Sequence, residues 1–285
     1  MTNRRDFLRT TAAFAAATMI TPTFAFSQEK KIIGLQLYTV RDKIKLDLKS
    51  TLEKVAKIGY NSAEAAGYNV ADGTFYGMVP KAFAELLNGL GMPLTSSHTV
   101  FELDTAEKVI ADAASTGAKY IIYPFLSDKF RNNLDGWKAT AEKFNKMGEI
   151  AKKNGIQFGY HNHAFEFEKM EDQIPYDLLV SQTDPSLVTF EMDLYWVTKG
   201  GYNPVDYFKK YPGRFQLWHV KDMTKTEDKF FAPVGSGRID FLSIFAEKKT
   251  AGMKYFFVEQ DSFKDLDAFE SIELSFKYLS QAKFL

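Results

Sequence analysis

From Lys31 to the C-terminus, short apolar runs alternate with longer segments whose apolar positions return at helical spacing. IIGLQLYTV (32–40) precedes LKSTLEKVAKIG (48–59), where Leu48, Leu52, Val55 and Ala56 share one helical face. NSAEAAG (61–67) precedes PKAFAELLNGLG (80–91), and PLTSSHT (93–99) precedes TAEKVIADAASTG (105–117). KYIIYPF (119–125) precedes WKATAEKFNKMGEIAKKNG (137–155). Four further strand-like runs follow: FGYHNH (158–163), TFEMD (189–193), FQLWHVKD (215–222) and FFVEQ (256–260). The pattern predicts helices near 175–182, 204–211, 241–251 and 265–281 between and after them. Gly59, Gly91, Gly117, Gly155 and Gly252 each stand just before a strand, where a glycine ends a helix. Eight strand–helix pairs without an interposed domain predict an α/β fold closed into a (β/α)8 barrel. An open doubly wound sheet is the competitor, and no G-x-G-x-x-G follows the first strand to support it.

The first 27 residues read differently. Asn3-Arg4-Arg5-Asp6-Phe7-Leu8-Arg9 is a twin-arginine pattern, followed by a mild apolar stretch from Thr11 to Ile20. Residues 1–27 are therefore expected to be a twin-arginine export signal, and residues 28–285 the barrel. The apolar stretch falls short of the ~20 residues a transmembrane helix needs, so no stable membrane span is expected. This reading makes the Tat export machinery a partner and the location periplasmic or exported. The 285 residues carry 36 Lys+Arg and 36 Asp+Glu, a formal charge of zero. That balance gives no support to a nucleic-acid or anionic-membrane partner. Without cysteine, disulfides and thiolate chemistry are excluded, and any metal must sit on nitrogen and oxygen.

The candidate chemistry lies at the ends of the last four runs. His161, Asp193, His219 and Glu259 are 32, 26 and 40 residues apart, about one strand-plus-helix unit each. Parallel strands carry all four to the same end of the sheet, where the active site of such a barrel is built. His161 shares strand parity with His163, Glu191 with Asp193, and His219 with Lys221. Asp193, His219 and Glu259 are expected metal ligands, with His161 completing the set and His163 as its rival or a substrate contact. Two imidazoles with two carboxylates suit one divalent ion, Mn, Zn, Fe or Co. Glu191 orients a ligand or pairs with a buried cation. Gln36, Glu64 and His98 end earlier strands and are expected at the substrate, His98 as an acid or base; a plain hydrogen-bonded rim position is the alternative for each. Trp196 and Tyr38 are candidate pocket walls, with core packing as their other use. In PVGSGRIDF (233–241) the glycine amides, with Arg238 beside them, are expected to face an anionic or polyhydroxyl ligand, or simply to form a turn.

YHNHAFEF (160–167), LWHVKDM (217–223), PVGSGRIDF and VEQD (258–261), in this order, resemble the xylose isomerase-like TIM-barrel superfamily of sugar isomerases, epimerases and inosose dehydratases. The resemblance covers essentially all of residues 28–285. It implies one metal held at strands five to eight, on positions matching His161, Asp193, His219 and Glu259. Epimerases of that family carry a Glu at the strand-five position, where this chain has His161, and several carry a His where it has Trp196. The inosose-dehydratase branch resembles this chain in its strand-five His. The implied reaction removes a proton α to a carbonyl, with Glu259, His161 or His98 as base and Lys221 offsetting negative charge. A metal-dependent sugar isomerase or epimerase is the first expectation. A lyase or dehydratase on a 3-keto sugar, glycoside or inosose is the second, and a non-catalytic carbohydrate-binding barrel the third. The expected partner is a small sugar or cyclitol, with a homo-oligomer possible.

Overall fold

A computed structural model describes residues 31–285; the twin-arginine pattern lies outside the described residues. Eight parallel strands close into one barrel: β1 Gly34–Gln36, β2 Ser62–Ala65, β3 Leu94–His98, β4 Tyr120–Tyr123, β5 Gln157–His161, β6 Val188–Asp193, β7 Leu217–Val220 and β8 Tyr255–Val258. They lie in sequence order around the ring, with β1 pairing both β2 and β8. The expected (β/α)8 barrel is borne out. Among the described residues, no helix is long and apolar enough to cross a membrane.

Local chemistry sets the outer helices. In α1 (Leu48–Ile58), Asp47 accepts from Ser50 N at the start, and Gly59 takes φ +125° at the end. The remaining principal helices are α2 Pro80–Gly89, α3 Ala106–Ser115, α4 Leu134–Lys153, α5 Pro175–Gln182, α6 Pro204–Lys210, α7 Phe241–Ala246 and α8 Ala268–Gln281. Asn133 caps α4 through Gly136 N, and Asp267 with Glu270 forms a capping box on α8. Their apolar faces and the outward side chains of the strands make one continuous core, which includes Leu52, Phe144, Tyr160 and Trp218.

A second, smaller core fills the lower lumen with Tyr120, Ile122, Leu217 and Phe257. Gly34 makes space for it, since a Cβ there would lie 2.4 Å from the Phe257 ring. Above this apolar plug the lumen is polar, and register sets its neighbours. Gln36 pairs with Glu64, Glu64 with Ser96, His161 with Glu191, and Asp193 with His219.

Two elements depart from the sequence pattern. The first strand, expected over 32–40, is only Gly34–Gln36, because the Gln36 side chain accepts from Tyr38 N and turns Leu37–Val40 into a 3-10 helix. The helix expected over 241–251 breaks at Glu247 into Phe241–Ala246 and Lys248–Ala251. Two hairpins, Tyr68–Asn69 with Thr74–Phe75 and Asp222–Met223 with Phe231–Ala232, were not expected from periodicity.

Candidate metal centre

Two polar clusters share His219 at the upper end of the lumen. His161, Asp193, His219 and Glu259 are all buried, and one donor atom from each lies within 4.8 Å of the others. That spread is near the ~4 Å separating opposite ligands of an ion with ~2.1 Å bonds, so this group can hold a metal. Glu64, His98, Glu191 and His219 form the second cluster just behind.

The backbone positions each donor for this task. Asp193 ends β6 and begins a short helix, Leu194–Lys199. Its Oδ1 accepts from Trp196 N at 2.8 Å, which fixes the carboxylate and leaves Oδ2 facing His161 Nε2 at 3.4 Å and His219 Nδ1 at 3.7 Å. His161 donates from Nδ1 to Pro124 O at 3.1 Å, so Nε2 is the nitrogen turned to the cluster. His219 is held from the other side, with Nε2 2.6 Å from Glu64 Oε2. Its buried Nδ1 lies 2.7 Å from Glu259 Oε2, yet makes no hydrogen bond of acceptable geometry. Of the four donors only His161 Nε2 and Asp193 Oδ2 are linked by a hydrogen bond, long at 3.4 Å, and a shared cation would satisfy His219 Nδ1.

Lys221 adds a fixed positive charge. Its Nζ lies 2.7 Å from Glu259, 3.0 Å from Asp193 and 3.0 Å from Asp261. Burial works against its charge, but those three carboxylates hold its pKa well above the usual lysine range. Burial likewise works to raise Asp193, and Lys221 and His161 outweigh it, holding the carboxyl well below its ordinary value. Glu259 is lowered in the same way, against burial, by Lys221 and His219.

In the rear cluster, Gln36 donates to Glu64 Oε2 at 2.8 Å, and His98 Nε2 sits 2.5 Å from Glu191 Oε2. Burial, with Glu64 beside it, pushes the Glu191 carboxyl well up. His98 is pushed down to about 4, chiefly by burial. The His98 ring is therefore neutral near pH 7, joined to Glu191 through Nε2. No described residue bonds the other ring nitrogen of His98, and the ring lines the cavity above.

That cavity is about 740 Å³, lined by His98, His161, His163, Lys221, Glu259 and Asp261 with Tyr38, Tyr68, Val100, Phe125, Trp196 and Phe231 around them. His163 lines it beside Phe125 and Trp196, and burial pushes its pKa down to about 2. The polar and aromatic residues of YHNHAFEF divide by parity. His161 and His163 face the cavity, while Tyr160 and Asn162 are buried pins. Glu166 accepts from Tyr160 Oη at 2.6 Å and from His163 N at 2.9 Å, and Asn162 Oδ1 accepts from Asp193 N at 3.2 Å.

The structure thus brings His98, His161, His163, Trp196, Lys221 and Glu259 to one cavity, with Asp193 and His219 buried in the same donor cluster. Gln36 and Glu64 sit one layer deeper and contact Glu64 and His219, respectively. Arg238 lies elsewhere: its guanidinium donates to the carbonyls of Thr224, Lys225 and Thr226. The expected ligand-facing amides of the PVGSG loop are also engaged internally. Asp222 accepts from Met223, Gly235, Gly237 and Ile239 N, and a Cβ on Gly237 would lie 2.3 Å from its Oδ1. Asp261, Tyr68 and Phe231 were missed. Asp261 shares strand parity with Glu259, a usable signal, whereas Tyr68 and Phe231 arrive on the two hairpins.

The family model described as xylose isomerase-like TIM barrel matches residues 52–280. An inosose dehydratase of Clostridium beijerinckii is 32% identical over 139 residues, 43% of this chain and 46% of that protein. The one from Geobacillus kaustophilus is 25% identical over 236 residues, 69% of this chain and 74% of that protein. The chain spans about half the length of the clostridial relatives it matches. A crystal structure of a sugar phosphate isomerase/epimerase from Parabacteroides distasonis superposes with a TM-score of 0.82 at 30% identity, covering 93% of this chain and 98% of that one.

Proposed function

The chain belongs to the xylose isomerase-like TIM barrel family, and from that premise we propose a metal-dependent lyase that dehydrates a keto-cyclitol or keto-sugar. The observation that carries this reading is the placement of His98, backed by Glu191 and open to the cavity, beside the four converging donor atoms. The curated relatives named inosose dehydratase support the same reaction class.

His161, Asp193, His219 and Glu259 would hold the ion, and two imidazoles among the four donors favour Mn, Zn, Fe or Co. Bound there, a divalent ion supplies Lewis-acid polarisation of the substrate carbonyl. His98, kept neutral by burial, accepts the proton from the carbon α to that carbonyl. The Lys221 ammonium stabilises the negative charge that develops on the substrate oxygens. His98 then returns its proton to the departing β-hydroxyl. One base that takes and gives the proton suffices for elimination, and Glu191 keeps its ring aimed throughout.

The 30% identity to the Parabacteroides protein, over nearly that protein's whole length, favours isomerisation or epimerisation as the second reading. The substrate, having lost its α proton, would then be reprotonated on carbon. His161 weakens it, because only Glu259 remains of the two facing carboxylates that epimerases of the family use. Incubating the metal-loaded protein with an inosose, and separately with a ketohexose, in D2O decides between them by mass spectrometry. Loss of water supports the lyase; deuterium gain with the mass otherwise retained supports the isomerase; no change in either substrate overturns both. Export through the Arg4-Arg5 pattern is part of the proposal, and fractionation of cells expressing the full chain tests it.

A further inference from the structure

The cavity has two parts, set apart by burial. At its floor Lys221 is 1% exposed, His161 3%, Glu259 5% and His98 8%. At its mouth Phe125 is 41% exposed, Tyr38 43% and Val100 52%. Large apolar side chains left open around a concave site mark a ligand surface. Phe125 also packs edge-on against His163 at 5.4 Å and Phe165 at 5.6 Å. Trp196, which also packs on His163, and Phe231 extend the aromatic lining, 5.9 Å apart and nearly perpendicular.

Size points the same way. At about 740 Å³ the cavity lies among the pockets of ~300–1,000 Å³ that enclose drug-sized ligands. A single six-membered polyol that reaches the floor donors leaves the mouth, with Tyr38, Val100 and Phe125, facing water. A second ring attached to the first covers those walls, and flat aromatic faces are suited to the apolar face of a sugar or aryl ring.

Resting on the lyase reading above, we propose that the substrate is a two-ring keto-glycoside and that the group expelled is the second ring rather than water. The ring at the floor carries the ketone. His98 takes the proton from its α carbon, that C–H pair becomes the new C=C bond, and the β C–O bond breaks. The departing glycosidic oxygen keeps its electron pair and receives the proton, giving an unsaturated keto-sugar and a free hydroxyl on the second ring. No oxidant, reductant or water is consumed.

Benzyl and methyl 3-ketoglucosides test this, because their leaving alcohols are almost equally acidic while only one carries a second ring. With the full, metal-loaded protein, the benzyl glycoside is expected to show a kcat/KM at least tenfold above the methyl glycoside. In Phe125→Ala that preference should shrink at least fivefold. Equal values for the two glycosides, or faster dehydration of a free inosose than elimination from the benzyl compound, overturn the two-ring substrate and leave the lyase intact. No elimination from any of the three, together with no α-deuterium exchange in D2O, means that the lyase reading itself has failed and takes this proposal with it.

Discussion

Glu166 makes the stability of this barrel depend on pH in an unusual direction. Its side chain is fully buried beneath the turn that carries His163, and burial pushes its pKa from 4.5 up to about 7. A carboxyl whose pKa is raised in the folded state binds its proton more tightly there than in the unfolded chain. Its contribution is therefore fully present below pH 4.5 and is lost as pH rises towards 7. At ~1.4 kcal/mol per unit, a shift of this size amounts to roughly 3 kcal/mol. Glu166→Gln reproduces the protonated form, since its amide can donate to Tyr160 Oη while its carbonyl accepts from His163 N. Urea unfolding of both proteins between pH 4.5 and 8 should show similar stability at the acid end. The variant should then gain on the native protein by up to about 3 kcal/mol by pH 8. A stability difference that stays flat across this range, or that moves in favour of the native protein as pH rises, refutes the reasoning.

Asp193→Ala and His219→Ala should each abolish stoichiometric metal retention with folding preserved, read by elemental analysis beside circular dichroism. Glu64→Gln, which removes the carboxylate behind His219 Nε2, should weaken metal affinity by roughly 10–100-fold, measured by competition with a chelating dye. Asp222→Ala strands four backbone amides and should cost about 3 kcal/mol in denaturant unfolding. Phe257→Ala empties the lower lumen and should cost roughly 3–5 kcal/mol, with metal content unchanged.

Periodicity and glycine placement made the barrel legible. Gly59, Gly91, Gly117, Gly155 and Gly252 all take positive φ, as a helix stop before a strand requires. Strand parity reached most of the site, because it is a property of local geometry: His161, Asp193, His219 and Glu259 converge as the spacing implied. Partners set by contacts across the barrel were beyond it. Nothing local tells that Glu64 meets His219, 155 residues away, or that Asp222 rather than a ligand takes the loop amides. Arg238 shows the same limit, since sequence proximity to a glycine loop says nothing about the side of the loop its guanidinium will occupy.

The turn after β5 separates what holds the chain from what faces the cavity. Tyr160, Asn162 and Glu166 fix the backbone from beneath, and His161 and His163 stand on it facing the cavity. Exchanging either histidine leaves the bonds through the Tyr160 hydroxyl, the Asn162 amide and the His163 backbone N–H intact. A carboxylate at position 161 can therefore be mounted on the same foundation. On the proposed lyase reading, a step from expelling a leaving group to inverting a carbon centre would be a change of fitting, with no new architecture required.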